Sequence, residues 1–218
     1  MKTNILLSFA LLFVLVASGC NTQTKTTNDN SQAGMNHNMN MPTDRNGMDH
    51  SKMDHSAMGS SLNAAAAPYD LQFLDTMIAH HQGAVEMAGP CSAKAGHSEI
   101  KTLCGNIISS QQKEIGEMKA WRDKWFAGAA PAINMEMPGM KDSMKGMDMK
   151  LLGTLTGNEF DRAFMKQMTP HHEGAVIMGK EALLKSTKDE IKTLSDSIIK
   201  AQESEIKRMN DWQTAWFK

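Results

Sequence analysis

The sequence predicts an all-α fold, a four-helix bundle made of two copies of one helical hairpin. The first observation is a motif at residues 77–87 that contains two adjacent histidines and returns 91 residues later, at 168–178. The second is that each motif is followed by a long segment whose apolar residues step by threes and fours, the period of an α-helix. Because each hairpin then has one apolar face, packing the two faces together is the simplest way to bury both.

The repeat extends over both hairpins without a gap. The same offset of 91 residues relates the run 99–103 to the run 190–194. It also relates single residues along the helices: Phe73 to Phe164, Gln111 to Gln202, Glu114 to Glu205, Met118 to Met209, Trp121 to Trp212, and Trp125 to Trp216. A duplication of this extent predicts two structural units with approximate twofold symmetry.

The chain begins with a predicted export signal, residues 1–19. An apolar run at 5–16 follows a basic residue and is too short to span a bilayer as a stable helix. Residues 17–20 resemble a bacterial lipobox, which implies cleavage before Cys20 and lipidation of its thiol. The alternative is an ordinary signal peptide with a coincidental cysteine. A diacyl anchor would hold the protein in the cell envelope, on the periplasmic side; Asn21 is no obvious retention signal for the inner membrane, which favours the outer membrane.

Residues 20–67 are a predicted flexible tail, polar and rich in methionine and histidine. Methionine has no packing role in such a segment, and its Met-Asp-His-Ser pattern resembles segments of exported bacterial copper-resistance proteins. The candidate metal ligands of the tail are His37, His50, His55, Met48, Met53 and Met58. The alternative is a spacer that holds the folded domain away from the membrane, and the two roles are compatible.

The folded domain is predicted at 68–218, and its two hairpins are joined by a long linker. Helix one spans about 68–88 and ends at a Gly-Pro pair, and helix two spans about 98–126. Residues 127–150 contain proline, glycine and many methionines without a helical stripe, which predicts a methionine-rich loop. Its length exceeds that of ordinary connections, which indicates either a function or disorder.

The second hairpin has its own start signals and one irregularity. Helix three begins with a capping box from Thr156 to Glu159, and helix four with another from Thr187 to Glu190. Pro170 lies in the middle of helix three and is expected to kink it, because proline removes one backbone hydrogen bond. Nothing in the sequence has the pattern of a β-strand.

Two cysteines, Cys91 and Cys104, flank the predicted turn of the first hairpin. Export places them in an oxidising compartment, where a disulfide is the default. Ligation of a metal by the two reduced thiols is the alternative. Their repeat counterparts are Ala182 and Ser195, so the hairpin design does not itself require cysteine.

The repeated motif places imidazoles and thioethers on one stripe of each first helix. The candidate metal ligands of the bundle are Met77, His80, His81 and Met87 in the first copy, and Met168, His171, His172 and Met178 in the second. Both groups suit soft or borderline cations, and thioether favours Cu(I). The alternative is that these side chains only fill the core, as methionine at helical spacing commonly does.

A buried imidazole needs a hydrogen-bond partner whichever alternative holds. On the antiparallel second helix the residue level with His80 is expected near Asn106, and Gln111 lies within about one or two turns of it. Gln111 and Glu114 are polar residues beside the apolar stripe, and Gln202 and Glu205 repeat them. We therefore expect an imidazole N–H to donate to a Gln or Glu side chain, which would also fix the tautomer of a metal-binding histidine.

These residues resemble the bacterial domain-of-unknown-function family 305 (DUF305), whose copper-binding members include CopM-like proteins. The motif Met-x-x-His-His-x-Gly-Ala-x-x-Met occurs twice, with Asp70 and Phe73 before the first copy and their counterparts before the second. The resemblance covers about 68–218. It implies a ferritin-like helical bundle in an exported protein and, for the copper-binding members, ligation through methionine and histidine. The chain departs from its own first copy at Pro170, where that copy has Ala79.

The function predicted from these features is capture of copper, as Cu(I) through methionine and Cu(II) through histidine, for copper tolerance or trafficking. The expected partners are the metal ion, the membrane through the lipid anchor, and copper-transport proteins that would receive the ion. A net charge of -1 gives no electrostatic reason to expect nucleic acid binding. No enzyme is expected, because neither a Glu-x-x-His pair nor a nucleophile elbow occurs. The alternative function is a structural or interaction module of the envelope.

Overall fold

The computed structural model describes residues 59–218. The predicted signal peptide, Cys20 and the tail ligands lie outside this range: His37, His50, His55, Met48, Met53 and Met58. The last residues of the predicted tail are not free of the domain, because Ser61 and Ile133 exchange two hydrogen bonds of 2.8 and 3.1 Å. The folded domain therefore begins several residues before position 68.

The described part of the chain is all-α, which confirms the predicted fold class. Its long helices are α1 (Tyr69–Ala88), α3 (Ser98–Trp125), α6 (Gly157–Lys185) and α7 (Asp189–Trp216). Short helices occupy the connections: α2 (Cys91–Lys94), α4 (Met140–Ser143) and α5 (Met149–Thr154). Within residues 59–218 there is no β-strand, only one isolated bridge between Ala95 and Gly157.

The four long helices form two hairpins that meet through their first helices. Helix α1 packs along α3, α6 packs along α7, and α1 and α6 pack on each other in the centre of the bundle. Two apolar clusters fill the bundle, one toward each end. One cluster contains Met77 and Met178, and the other contains Met87 and Met168, as the predicted twofold symmetry requires.

A buried carboxylate from each hairpin holds the turn of the other hairpin. Asp161 of α6 accepts hydrogen bonds from the backbone N–H groups of Gly96 (3.0 Å) and His97 (2.8 Å) and from His97 Nδ1 (2.7 Å). Its repeat counterpart Asp70, on α1, accepts from Thr187 Oγ1 at 2.6 Å and from the Thr187 N–H. These contacts satisfy backbone donors at the helix starts and lock the two repeats together.

Aromatic residues at the ends of α3 and α7 cover the same turns. The Trp216 ring stacks on the His97 ring with centroids 3.9 Å apart. At the symmetry-related turn, Lys188 Nζ lies 5.2 Å from the centroid of the Trp125 ring, which is a cation–π contact. The duplicated tryptophans thus close both ends of the bundle.

The predicted capping boxes are wrong in detail. Thr156 is the N-cap of α6, but its side chain makes no capping hydrogen bond. The N-cap of α7 is Lys188, one residue after the predicted Thr187, whose hydroxyl donates to Asp70 instead. The carboxylate of Asp70 therefore binds the residue that precedes the N-cap of α7. Helix α6 continues through Pro170 without interruption.

The linker is more structured than the predicted loop. It contains α4 and the start of α5, and α4 packs along α6. Met137, Met140 and Met147 are buried and anchor it in the core. Methionine is unbranched and fits irregular gaps, so these anchors need no regular period that a sequence pattern could reveal.

The structure joins Cys91 and Cys104 in a disulfide between α2 and α3, with Cα atoms 6.2 Å apart. Replacing them by their repeat counterparts, as Cys91→Ala with Cys104→Ser, is expected to lower the free energy of unfolding by about 3 kcal/mol, because the unfolded chain regains the freedom of the closed loop. Urea denaturation of both proteins measures this. An unchanged urea midpoint in the variant would contradict this prediction. The reduced parent protein is the control: if it loses as much stability as the variant, the loss comes from the missing bond and not from the substituted side chains.

Candidate metal centre

The four motif histidines form a layer at the centre of the bundle, between the two apolar clusters. All four are completely buried, as are the four motif methionines. The His80 and His171 rings face each other across the α1–α6 contact, with centroids 3.8 Å apart. His81 and His172 lie outward from this pair, each about 6 Å from its neighbour in the sequence, at 6.1 and 6.3 Å between centroids.

The outer histidines are each held by a glutamate, as the sequence predicts. His81 Nε2 lies 2.7 Å from Glu114 Oε2, and His172 Nε2 lies 2.8 Å from Glu205 Oε2. A carboxylate accepts, so Nε2 carries a proton, and in the neutral tautomer that this leaves, the lone pair is on Nδ1. Within residues 59–218, neither Nδ1 has a hydrogen-bond partner. A carboxylate behind an imidazole is the arrangement that orients histidine ligands and makes them more basic.

The inner histidine His80 has a different partner from the predicted one. Its Nε2 donates to the backbone carbonyl oxygen of His171 at 3.0 Å, rather than to Gln111 or Glu114. Burial lowers the pKa of His80 well below 6.5, and the nearby His81 and His172 lower it further against the opposing carbonyl bond. The ring is therefore neutral near pH 7, and its buried Nδ1, which has no partner in the described part of the chain, holds a lone pair.

The buried, neutral state of His80 predicts a loss of stability in weak acid. An unfolded histidine takes up a proton near pH 6.5, whereas folded His80 does so only at much lower pH. Its contribution is therefore complete above about pH 7 and is lost as the pH falls through 6.5 toward the folded pKa. In metal-free buffer, His80→Gln is expected to reduce the slope of unfolding free energy below pH 6.5 by up to about 1.4 kcal/mol per pH unit. Urea titrations at several pH values check this; parallel slopes contradict it.

The side chains of the histidine layer are not arranged as a complete metal-binding site within residues 59–218. Within residues 59–218, no three His, Cys, Asp or Glu side chains are grouped so that they could hold one metal ion. The motif thioethers are the other soft donor groups of the buried layer. Met77 and Met168 each lie one helical turn before a histidine pair, whereas Met87 and Met178 lie about 9 Å along the axis beyond the pairs on their own helices.

A groove between α3 and α7 leads toward one side of the layer. Its volume is about 530 Å³, and Glu114, the partner of His81, is one of its lining residues. The lining also includes three other acidic side chains and a single lysine: Glu117, Asp189, Glu190 and Lys113. A lining of mostly one sign raises the local concentration of cations.

The fold and its interior layer define a duplicated helical bundle with imidazole and thioether groups at its centre. A family model described as "Domain of unknown function (DUF305)" matches the chain over residues 17–122 and again over 70–213. The chain belongs to the DUF305 family. None of the helices within residues 59–218 combines the length and the hydropathy that a bilayer span requires.

Solved structures of the family share this architecture. CopM in the Cu(I)-bound form is 38 % identical, with a TM-score of 0.59, and the match covers 70 % of this chain and 100 % of CopM. CopM in the Cu(II)-bound form gives 38 % identity, a TM-score of 0.60, and coverage of 69 % and 100 %. A predicted secreted DUF305 protein from Streptomyces coelicolor is 32 % identical, with a TM-score of 0.58 and coverage of 67 % and 91 %. No curated protein matches the chain.

Proposed function

We propose that this is an exported lipoprotein that captures copper through methionine and histidine, for copper tolerance or trafficking. The observation that carries the proposal is the buried layer in which Nδ1 of His80, His81 and His172 has no hydrogen-bond partner among the described residues, with thioethers one turn away. The 38 % identity to CopM, solved with Cu(I) and with Cu(II), supports copper as the cation.

The chemistry of the donor set fits copper in both oxidation states. Thioether sulfur is a soft ligand that suits Cu(I), and imidazole suits Cu(II) as well. Glu114 and Glu205 would hold the outer imidazoles in the tautomer that leaves Nδ1 available. The tail ligands at His37, His50, His55, Met48, Met53 and Met58 would collect ions before they reach the bundle.

The proposed location is the periplasmic face of the envelope, with an anchor at Cys20 and the outer membrane favoured. Residues 21–58 would then join the anchor to the domain and act as both tether and ion collector. A copper-transport protein would be the acceptor of the captured ion.

The test separates the bundle from the tail. Four mature proteins are titrated with Cu(I) and Cu(II) against a competing chelator: the parent, a deletion of 21–58, a variant with all four motif histidines replaced by Gln, and both changes together. We expect each single change to remove part of the copper and the double change to remove nearly all. If the four-histidine variant keeps the parent's stoichiometry, the layer is structural; if the parent binds no better than a methionine-poor control, copper capture is refuted.

A second variant pair tests the carboxylate behind the imidazole. Glu114→Gln keeps a hydrogen-bond acceptor for His81 but removes the charge, and is expected to weaken copper binding about 10-fold. Glu117→Gln is the matched control, since Glu117 lies one turn further on α3 and pairs only with the exposed Lys113 in the described residues. Equal affinities in the two variants would contradict a role for Glu114.

A further inference from the structure

The two ends of the helical bundle differ in the side chains that they expose. One end contains the start of α1, the end of α3 and the turn between α6 and α7. The bond from Thr187 to Asp70 joins this turn to α1, and the contact of Lys188 with the Trp125 ring joins it to α3. Residues 59–68 lead into α1 at the same end, which we therefore call the entry end.

Two leucines at the entry end are almost fully exposed. Leu62, which precedes α1, is 88 % exposed, and Leu184, in the last turn of α6, is 87 % exposed. The other exposed large hydrophobic side chains within residues 59–218 do not exceed 45 %. The packing of the bundle therefore leaves the apolar surface of these two leucines to a partner outside the domain.

The internal repeat shows that the hairpin does not itself require leucine at this turn. The offset of 91 residues relates Leu183 and Leu184 to Ser92 and Ala93. Each pair lies close to the turn of its own hairpin, and the two turns are at opposite ends of the bundle. The extra apolar surface is thus specific to the entry end.

Aromatic rings and lysines share the entry end with the leucines. Trp121 and Trp125 are stacked, with centroids 5.8 Å apart, and both are only partly buried. The ammonium groups of Lys124 and Lys188 lie 5.9 and 5.2 Å from the centroid of the Trp125 ring. Tryptophan and lysine are suited to the boundary between acyl chains and lipid headgroups, because each combines an apolar body with a polar tip.

The opposite end presents a different surface. The Trp216 ring, the repeat counterpart of Trp125, is covered by the His97 ring, which is parallel to it within 1°. The exposed leucine near this end is Leu151, on the short helix α5, and it is only 43 % exposed. Duplicated tryptophans therefore lie beside strongly exposed leucines at the entry end alone, as far as residues 59–218 are concerned.

We propose that the entry end rests on the surface of a lipid bilayer that contains anionic phospholipid. Leu62 and Leu184 enter the acyl boundary, and the neighbouring tryptophans and lysines lie at the level of the headgroups. This inference rests on the proposed lipid anchor at Cys20, because the tail that follows the anchor leads into the entry end. The anchor makes the second contact intramolecular, so a patch of low intrinsic affinity is sufficient.

Coupling the mature chain to vesicles tests which end of the bundle meets lipid. Cys91 and Cys104 form the disulfide, which leaves Cys20 for reaction with a maleimide lipid. Vesicles of phosphatidylethanolamine and phosphatidylglycerol contain a brominated lipid that quenches tryptophan fluorescence. The fluorescence that remains in Trp212→Phe with Trp216→Phe is expected to be quenched at least threefold more strongly than that in Trp121→Phe with Trp125→Phe. Equal quenching at the two ends, or no quenching at either, overturns the proposal.

Exposed leucines provide a variant and a matched control that keep all four tryptophans. Leu62→Ser with Leu184→Ser is expected to reduce the quenching at least twofold without lowering the urea midpoint, because neither side chain is buried. Leu151→Ser, at the opposite end, is expected to leave the quenching unchanged. Parent-like quenching in the double variant would contradict insertion of these leucines and overturn the proposal.

Failure of the anchor and failure of the surface give different results. Recovery of the parent protein in the soluble periplasmic fraction of cells would refute the anchor at Cys20, and this inference with it. Unquenched tryptophans on the coupled vesicles would refute the lipid-facing surface and leave the anchor and copper capture standing. Self-association of the uncoupled chain that is abolished in Leu62→Ser with Leu184→Ser would assign the patch to a second copy and also overturn the proposal.

Discussion

Replacing Asp161 by alanine is expected to lower the free energy of unfolding by about 2–4 kcal/mol, because three hydrogen bonds are lost and each contributes about 0.5–1.5 kcal/mol. This completely buried carboxylate accepts three hydrogen bonds, two from the backbone at Gly96 and His97 and one from the His97 ring. Among the described residues, no other carboxylate accepts from the Gly96 and His97 N–H groups. Urea denaturation followed by circular dichroism measures the loss.

Asp70→Ala is the matched control for this prediction. Asp70 occupies the same position in the first copy, but its bonds to the Thr187 N–H are long, at 3.3 and 3.4 Å, and only the bond from the hydroxyl is short, at 2.6 Å. We expect a smaller loss, about 1–2 kcal/mol. Equal losses at the two positions would mean that the extra bonds of Asp161 add nothing to stability.

Gly174→Ala is expected to lower the free energy of unfolding by about 2–3 kcal/mol, the usual range for overpacking a rigid site. The added Cβ would overlap backbone and a short side chain at Gly139 and Ser143, and neither can move away by a simple rotation. The linker must therefore separate from α6. Amide hydrogen exchange would show this as faster exchange in residues 135–148, together with an earlier urea midpoint.

The same substitution in the other copy is expected to have the opposite sign. Gly83→Ala meets its neighbours at ordinary contact distances, and alanine is favoured over glycine inside a helix by about 1 kcal/mol. The exposed Gly105→Ala on α3 reports that intrinsic preference alone. If Gly174→Ala were as stable as Gly105→Ala, the linker would not be packed on α6 as described.

The main fold could be predicted because the sequence patterns that specify it lie within single helices and occur twice in the chain. Apolar residues at helical spacing locate α1, α3, α6 and α7, and the gapless repeat indicates that two like hairpins share a core. A Gln or Glu partner for a motif histidine was also predicted, because a buried imidazole needs an acceptor and both residues lie beside the apolar stripe of the next helix; the structure selects Glu114 for His81. Each of these inferences needs only neighbours in sequence or one hairpin turn.

The remaining features depend on contacts between distant segments. The capping box at Thr187 failed because the Thr187 hydroxyl donates to Asp70, 117 positions away, and α7 has Lys188 as its N-cap instead. The contact between His80 and the His171 carbonyl depends on how α1 crosses α6, which no pattern along one helix specifies. Met147 could not be distinguished from the other linker methionines, since its position beside Gly83 is set by the packing of α4 on α6.

The reciprocal use of Asp70 and Asp161 gives the molecule the design of a homodimer joined into one chain. Each hairpin has backbone donors at its own turn that a carboxylate of the other hairpin satisfies, so a lone hairpin would present an unfinished turn and an uncovered apolar face. A protein with a single copy of the motif would therefore have to fold as a symmetric pair. Covalent fusion removes the dependence on protomer concentration, and it frees the segment between the halves to diverge without a matching change in the partner.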